Sequence, residues 1–168
     1  RSLRELKFGT MPDRKELEEV HRRLATDNGI TEGYVYLQVT RGAYGARDFV
    51  APDKPKLTCF AYAENRPLID TPAARNGTRV ISVPDIRWSR RDIKSVGLLA
   101  QALAKTEAKA QGVDDAWLVA PDGFVTEGAS SNAWIVTKEG EIITRALSNM
   151  ILAGITRHAL FDSLGQQG

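Results

Sequence analysis

Thr126-Glu127-Gly128-Ala129-Ser130-Ser131-Asn132 stands between two short alternating runs, residues 124–127 and 132–136. A strand ends on a carboxylate, a glycine, two hydroxyls and an amide, and then a strand resumes. One acid among several neutral hydrogen-bonding groups is either an ordinary polar turn or the floor of a binding site. On either side the pattern stays β-like. Residues 116–119 and 141–143 read as further short strands, and Pro121-Asp122-Gly123 and Lys138-Glu139-Gly140 read as the turns between them. The four short strands are expected to form a meander.

Working back toward the start, residues 96–111 carry the clearest helical pattern. Val96, Leu99, Ala100 and Leu103 make the expected buried stripe, and Gly112 ends it. Before it lies a basic stretch, Arg87-Trp88-Ser89-Arg90-Arg91-Asp92-Ile93-Lys94, and before that a strand over 79–83. Residues 64–72, Glu64-Asn65-Arg66-Pro67-Leu68-Ile69-Asp70-Thr71-Pro72, hold two prolines and read as a linker. Strands over 34–40 and 57–63 alternate with period two, with Val35, Leu37 and Val39 on one face and Tyr36 and Gln38 on the other. A helix over 12–25 shows Leu17, Val20 and Leu24 at i, i+3, i+7. A last helix is expected over 155–164. The order is an α+β arrangement in two parts, 1–66 and 67–168.

Composition narrows the function classes. Apolar residues at 42% and charged residues at 26% are ordinary globular usage, which argues against disorder. A net charge of +2 does not demand a nucleic-acid or anionic-membrane partner. One cysteine, Cys59, rules out an internal disulfide and a cysteine-based zinc cage, and points to a reducing compartment, the cytoplasm. No apolar run approaches the roughly 18–20 residues of a membrane-spanning helix. His21, beside Arg22 and Arg23, reads as solvated, and His158 reads as structural. No metal-binding spacing is present. The chain begins at Arg1 as if in mid-helix, so it is expected to be part of a longer product.

Three stretches bear chemistry. Lys94 adjoins Ile93 and precedes the most apolar helix, where burial would convert an ammonium into a nucleophilic amine. Alternatively, residues 87–94 are a charged surface loop or, with Trp88, a single-strand RNA patch. The second is Thr126–Asn132. In the third, Asn149-Met150-Ile151-Leu152-Ala153-Gly154-Ile155-Thr156-Arg157, free backbone N–H groups and a hydroxyl stand at a helix start. That is either an anion site or simple capping.

Taken in order, Asp92-Ile93-Lys94-Ser95, Thr126–Asn132 and Asn149–Arg157 resemble the fold-type IV pyridoxal-phosphate enzymes. That superfamily holds the D-amino-acid aminotransferases, the branched-chain aminotransferases and the aminodeoxychorismate lyases. Ile86-Arg87-Trp88, Arg91 to Ser95 and Gln38-Val39-Thr40-Arg41-Gly42 are most similar to the D-amino-acid branch.

The resemblance implies a two-domain α+β fold. Residues 1–66 would be the C-terminal part of the smaller domain. Residues 67–168 would be a linker and the first part of a larger domain with a meander or barrel-like sheet. It implies transamination between an amino acid, foremost a D-amino acid, and a 2-oxo acid. A branched-chain L-aminotransferase and an aminodeoxychorismate lyase are the alternatives, with a non-catalytic RNA-binding module more remote. It implies pyridoxal 5′-phosphate as cofactor, no metal, and a homodimer with a shared active site.

Lys94 would form the Schiff base and move the proton, and Glu127 would pair with the pyridine nitrogen. Ile155 and Thr156 would hold the phosphate, and Leu152 would pack on the ring. Ser130, Ser131 and Asn132 would line the site. The D-amino-acid branch carries an Arg-x-His pair that clamps the substrate carboxylate. Here the match is Arg47-Asp48-Phe49, with phenylalanine in place of the histidine. A phosphate-binding arginine before Arg1 and a second phosphate loop after Gly168 are also expected.

Overall fold

Alternating β-branched and aromatic residues pair β1 (Gly33–Thr40) with β2 (Thr58–Asn65) as an antiparallel ladder, from Gly33 opposite Asn65 to Thr40 opposite Thr58. This computed structural model describes residues 1–46, 48–51 and 53–165. The pleat puts Tyr34, Tyr36, Phe60 and Tyr62 on one face, with Tyr36 and Tyr62 stacked at 5.2 Å. Helix α1 (Ser2–Glu5) opens the chain. Helix α2 (Arg14–Asp27), capped by Asp13 accepting from the Glu16 N–H at 2.9 Å, lies against both strands. Its half-buried side chains include Leu17, His21, Leu24 and Ala25, at i, i+4, i+7 and i+8. Val20, expected in the stripe, is exposed. His21, expected in solvent, is half-buried, and its Nδ1 lies 2.6 Å from the Leu17 carbonyl oxygen.

Residues 66–69 stay with this hairpin. The Glu32 carboxylate accepts the N–H groups of Leu68 and Ile69 at 2.6 and 2.8 Å, and its carbonyl accepts from Arg66 at 2.9 Å. Helix α3 (Pro72–Asn76) follows, started by Thr71 and by a proline in its first turn. The chain separates into two units between Gly77 and Thr78. Helix α1 stands where the first residues read as helix, whereas α3 was not expected, since five residues are too few to show a periodicity.

The second unit starts with β3 (Val80–Pro84) and crosses through α4 (Leu99–Ala110) to β4 (Asp115–Val119), parallel to β3. Strand β5 (Val125–Gly128) returns antiparallel to β4, giving the order β3-β4-β5. The core holds Val83, Ala116 and Leu118 from the sheet, Ala104 and Ala108 from α4, and Ala129. Expectation and structure part at α4: Leu99 is 75% exposed and Leu103 52%, while Ala108 is 1% exposed. A helix laid close over a sheet needs small residues where the backbones approach, so the alanine face turns inward.

The expected meander also breaks. Strands β6 (Trp134–Val136) and β7 (Ile142–Thr144) form a separate two-stranded sheet. The reason is local. After Glu127 the backbone folds on itself, with the Gly128 N–H donating to the Ser131 carbonyl at 2.7 Å. Helix α5 (Ile155–Gly165) closes the described residues. No helix among them is long and apolar enough to cross a membrane.

Ala108→Leu is expected to overpack the contact with the sheet and cost about 1–3 kcal/mol of stability. Urea denaturation checks this, and an unchanged midpoint counts against the packing described.

Candidate active site

The centre of the second unit is a cluster of buried charge. Asp85 follows β3 directly, and its N–H donates to the Val119 carbonyl at 2.8 Å, which holds it at the end of the sheet. Arg87 folds back on it, with Nε donating to Oδ1 at 2.9 Å and Nη2 to Oδ2 at 2.7 Å. Arg87 Nη1 donates to Glu127 Oε1 on β5. Arg91 Nε lies 3.4 Å from Asp85 Oδ2. The side chains of Asp85, Arg87, Arg91 and Glu127 are all nearly solvent-free. Burial pushes the Asp85 carboxyl up, but the hydrogen bonds from Arg87 and Thr126 outweigh it and hold the group below the usual carboxylate range. Burial works against the charge of Arg87 as well, and its bonds to Asp85 and Glu127 raise it above the ordinary guanidinium value.

Glu127 accepts twice more. Asn132 Nδ2 donates to Oε2 at 3.0 Å, and the backbone N–H of Leu152 donates to the same oxygen at 3.1 Å. Asn132 Nδ2 also lies 3.0 Å from the Leu152 carbonyl. Two glycines make room here. A Cβ on Gly154 would stand 2.4 Å from Asn132 Oδ1, and one on Gly128 would stand 2.4 Å from Ser131 Oγ. The Arg91 N–H donates to the Asn149 carbonyl at 3.0 Å, and Arg91 Nη1 reaches Met150 Sδ at 2.8 Å. Residues 85–94, 126–132 and 149–154 therefore converge, far apart in sequence and joined through buried polar groups.

The expected site residues divide into two sets. Glu127, Asn132 and Leu152 are brought together by direct hydrogen bonds. Lys94, Ser130 and Ser131 lie exposed on these segments, and Ile155 and Thr156 lie exposed at the start of α5 just after the third. The burial expected at Lys94 falls instead on Asp92 and Ile93, at 1% and 6% exposure, with Arg90 forking onto Asp92 at 2.9 and 3.0 Å. No hydrogen bond or ion pair engages the Lys94 ammonium among the described residues. Arg47 lies outside the described residues; nearby Phe49 is 92% exposed. Asp85 is the member of the cluster that sequence reasoning misses, and Arg87 and Thr126 stand in quoted stretches without a role. In sequence Arg87 reads as one cation of a basic stretch, and its pairing across the sheet has no signature in spacing. Of the cations in residues 87–94, Arg87 and Arg91 have their side chains buried in ion pairs, while Lys94 is exposed.

The donor set fits pyridoxal phosphate. A primary amino group at Lys94, exposed and engaged by no partner among the described residues, is the group type that condenses with an aldehyde. A carboxylate has about four acceptor directions. Glu127 uses three of them, leaving Oε1 one for a protonated ring nitrogen. The first N–H groups of α5, with the Thr156 hydroxyl, suit a phosphate.

Two outcomes follow from this geometry. Gly154→Ala displaces Asn132 and is expected to cost about 1–3 kcal/mol by urea denaturation; wild-type stability in this variant contradicts the packing. The Asp85 carboxyl is lower in the folded chain than in the unfolded one. Its contribution to stability is therefore full above the ordinary carboxylate value of about 3.9 and is lost as pH falls through the lowered folded value. Stability measured against pH is expected to drop in that acid range, with a shallower drop for Asp85→Asn. An equally steep drop in the variant assigns the acid sensitivity to other groups.

Residues 1–168 match the family described as amino-transferase class IV. The chain is 40% identical over 157 residues to the D-alanine aminotransferase of Listeria monocytogenes serotype 1/2a (strain 10403S), covering 92% of this chain and 53% of that protein. To the D-alanine aminotransferase of Staphylococcus haemolyticus it is 41% identical over 148 residues, covering 87% of this chain and 51% of that protein. The chain spans about half the length of these relatives. The solved branched-chain amino acid aminotransferase of Escherichia coli superposes with a TM-score of 0.84 at 20% identity, covering 99% of this chain and 56% of that one, a likeness of fold. The branched-chain amino acid aminotransferase of T.th. with pyridoxamine 5′-phosphate superposes with a TM-score of 0.81 at 27% identity, covering 99% of this chain and 55% of that one. The α+β architecture of fold type IV is thus present, and with the family matched from the first residue to the last, this chain belongs to the class IV aminotransferases.

Proposed function

We propose that the protein of which this chain is part carries out pyridoxal-phosphate-dependent transamination between a D-amino acid and a 2-oxo acid. The observation that carries the reading is the convergence of residues 85–94, 126–132 and 149–154 on the buried Glu127. The identity of about 40% to two D-alanine aminotransferases supports the D-configuration. The fold likeness to branched-chain enzymes is shared across the family and does not choose a substrate.

Pyridoxal phosphate, when bound, supplies an aldehyde that takes up the amino group and a ring that accepts the electron pair left at the substrate's Cα. The chain's own residues do the rest. Lys94 Nζ would hold the cofactor in the resting state and, once free, would move the proton at the substrate Cα. Glu127, its Oε2 fixed by Asn132 and Leu152, has Oε1 left to pair with the ring nitrogen and would keep a proton there. The N–H groups at Ile155 and Thr156, with the Thr156 hydroxyl, bind the phosphate at the positive end of the helix. Leu152 packs on the ring, and Ser130 and Ser131 line the opening. Arg47 binds the substrate carboxylate through two parallel charged bonds.

We assign the working form to a homodimer with a shared site, in the cytoplasm; the exposed free thiol of Cys59 agrees with a reducing compartment. Residues 1–66 are assigned to the small domain and 67–168 to the linker and first part of the large one.

In the full-length protein, Lys94→Ala is expected to lower the rate of D-alanine conversion by at least about a hundredfold. Borohydride treatment followed by mass spectrometry should show cofactor bound covalently to the wild type and not to the variant. Wild-type turnover in the variant rules out the role of Lys94. Conversion of L-alanine in preference to D-alanine rules out the configuration.

A further inference from the structure

We infer that Arg87, anchored by Asp85, is a positioning residue that sets the direction and charge of Glu127 for the cofactor's ring nitrogen. The inference rests on the role proposed above for Glu127. The Arg87 side chain is 5% exposed and stands between two carboxylates. A guanidinium is planar, so where two of its nitrogens are fixed the third has no freedom. Asp85 takes Nε and Nη2 at 2.9 and 2.7 Å, and Nη1 is then aimed at Glu127 Oε1. Thr126 Oγ1 braces the anchor, 2.7 Å from Asp85 Oδ2 and 3.0 Å from the Leu118 carbonyl. Oε2 of Glu127 is fixed independently by Asn132 and Leu152. Both carboxylate oxygens are thereby pinned, and the one acceptor direction left on Oε1 points a single way.

The charges follow the same logic. Asp85 and Glu127 are balanced by Arg87 and Arg91, so the cluster adds no net charge to the interior. Arg87 touches the Glu127 carboxylate directly, while a base held by that carboxylate lies beyond it. Coulomb energy falls with distance, so the attraction of Arg87 for a charged Glu127 outweighs its repulsion of a protonated ring nitrogen. A cation here thus favours the state in which the proton sits on the ring.

The test compares the affinity of the full-length apoprotein for pyridoxal phosphate and for its analogue with C–H in place of the ring nitrogen. Wild type is expected to prefer pyridoxal phosphate by roughly tenfold or more, and Glu127→Gln to abolish the preference. If wild type shows no preference, or Glu127→Gln keeps it, the reading of Glu127 itself is wrong. Given that preference, Arg87→Gln is expected to lose most of it while binding the analogue nearly as wild type does. Removing a buried cation can unfold the chain. Arg87→Lys therefore keeps the charge while losing the fork, and is expected to lower the preference by about threefold or more. Wild-type preference in a folded Arg87→Gln or in Arg87→Lys overturns the inference. A purely structural role for Arg87 would weaken both ligands equally and would also overturn it.

Discussion

Two carboxylates and two guanidinium groups share the interior of the second unit, and none can be there alone. An unpaired ion taken out of water costs several kcal/mol, so Asp85, Arg87, Arg91 and Glu127 are tolerated only as a set. Each comes with its own stretch of backbone. Asp85 brings the end of β3, Arg87 and Arg91 bring the turn before α4, and Glu127 brings β5. Through Leu152, Glu127 also brings the loop that starts α5. Closing the charge cluster therefore closes the site.

The division of labour between buried and exposed residues follows. Glu127 has nearly all its hydrogen-bonding capacity committed to the protein, which suits a group that must not move. Lys94, Ser130, Ser131 and Thr156 are exposed at the ends of the elements that Glu127 ties together. The apolar core lies behind this constellation and supplies stiffness: Ala104 and Ala108 of α4 pack on Val83, Ala116 and Leu118 of the sheet. The strand ends that carry Asp85 and Glu127 thus project from a packed layer and not from a free loop.

Legibility in the sequence varied with the range of the interaction. The ladder of β1 and β2 was readable because alternation is local: Val35, Leu37 and Val39 share a face whatever else the chain does. Helix α4 was readable in position but not in orientation. Periodicity finds two faces, and the larger side chains suggested the leucine face as the buried one, whereas close approach to β3 and β4 required alanines. The break of the meander after Gly128 was hidden for a related reason. Short alternating runs announce strands but not partners, and the Gly128–Ser131 contact that turns the backbone away acts in place of a β5–β6 pairing.

For the site, the ordered motifs around Lys94, Glu127 and Gly154 were enough to name the family, because they keep their order and spacing along the chain whatever the fold does with them. What they could not contain was how those groups are held. Arg87 read as one arginine among several in a basic stretch, and only the folded chain sets its guanidinium between Asp85 and Glu127, 40 residues apart in the case of Glu127. Sequence by itself determined the longer elements and the family, through local periodicity and ordered motifs. The pairing of buried charges, the face that α4 turns to the sheet and the orientation of Glu127 were decided by the tertiary structure alone, because each depends on which distant segments share the same dry volume.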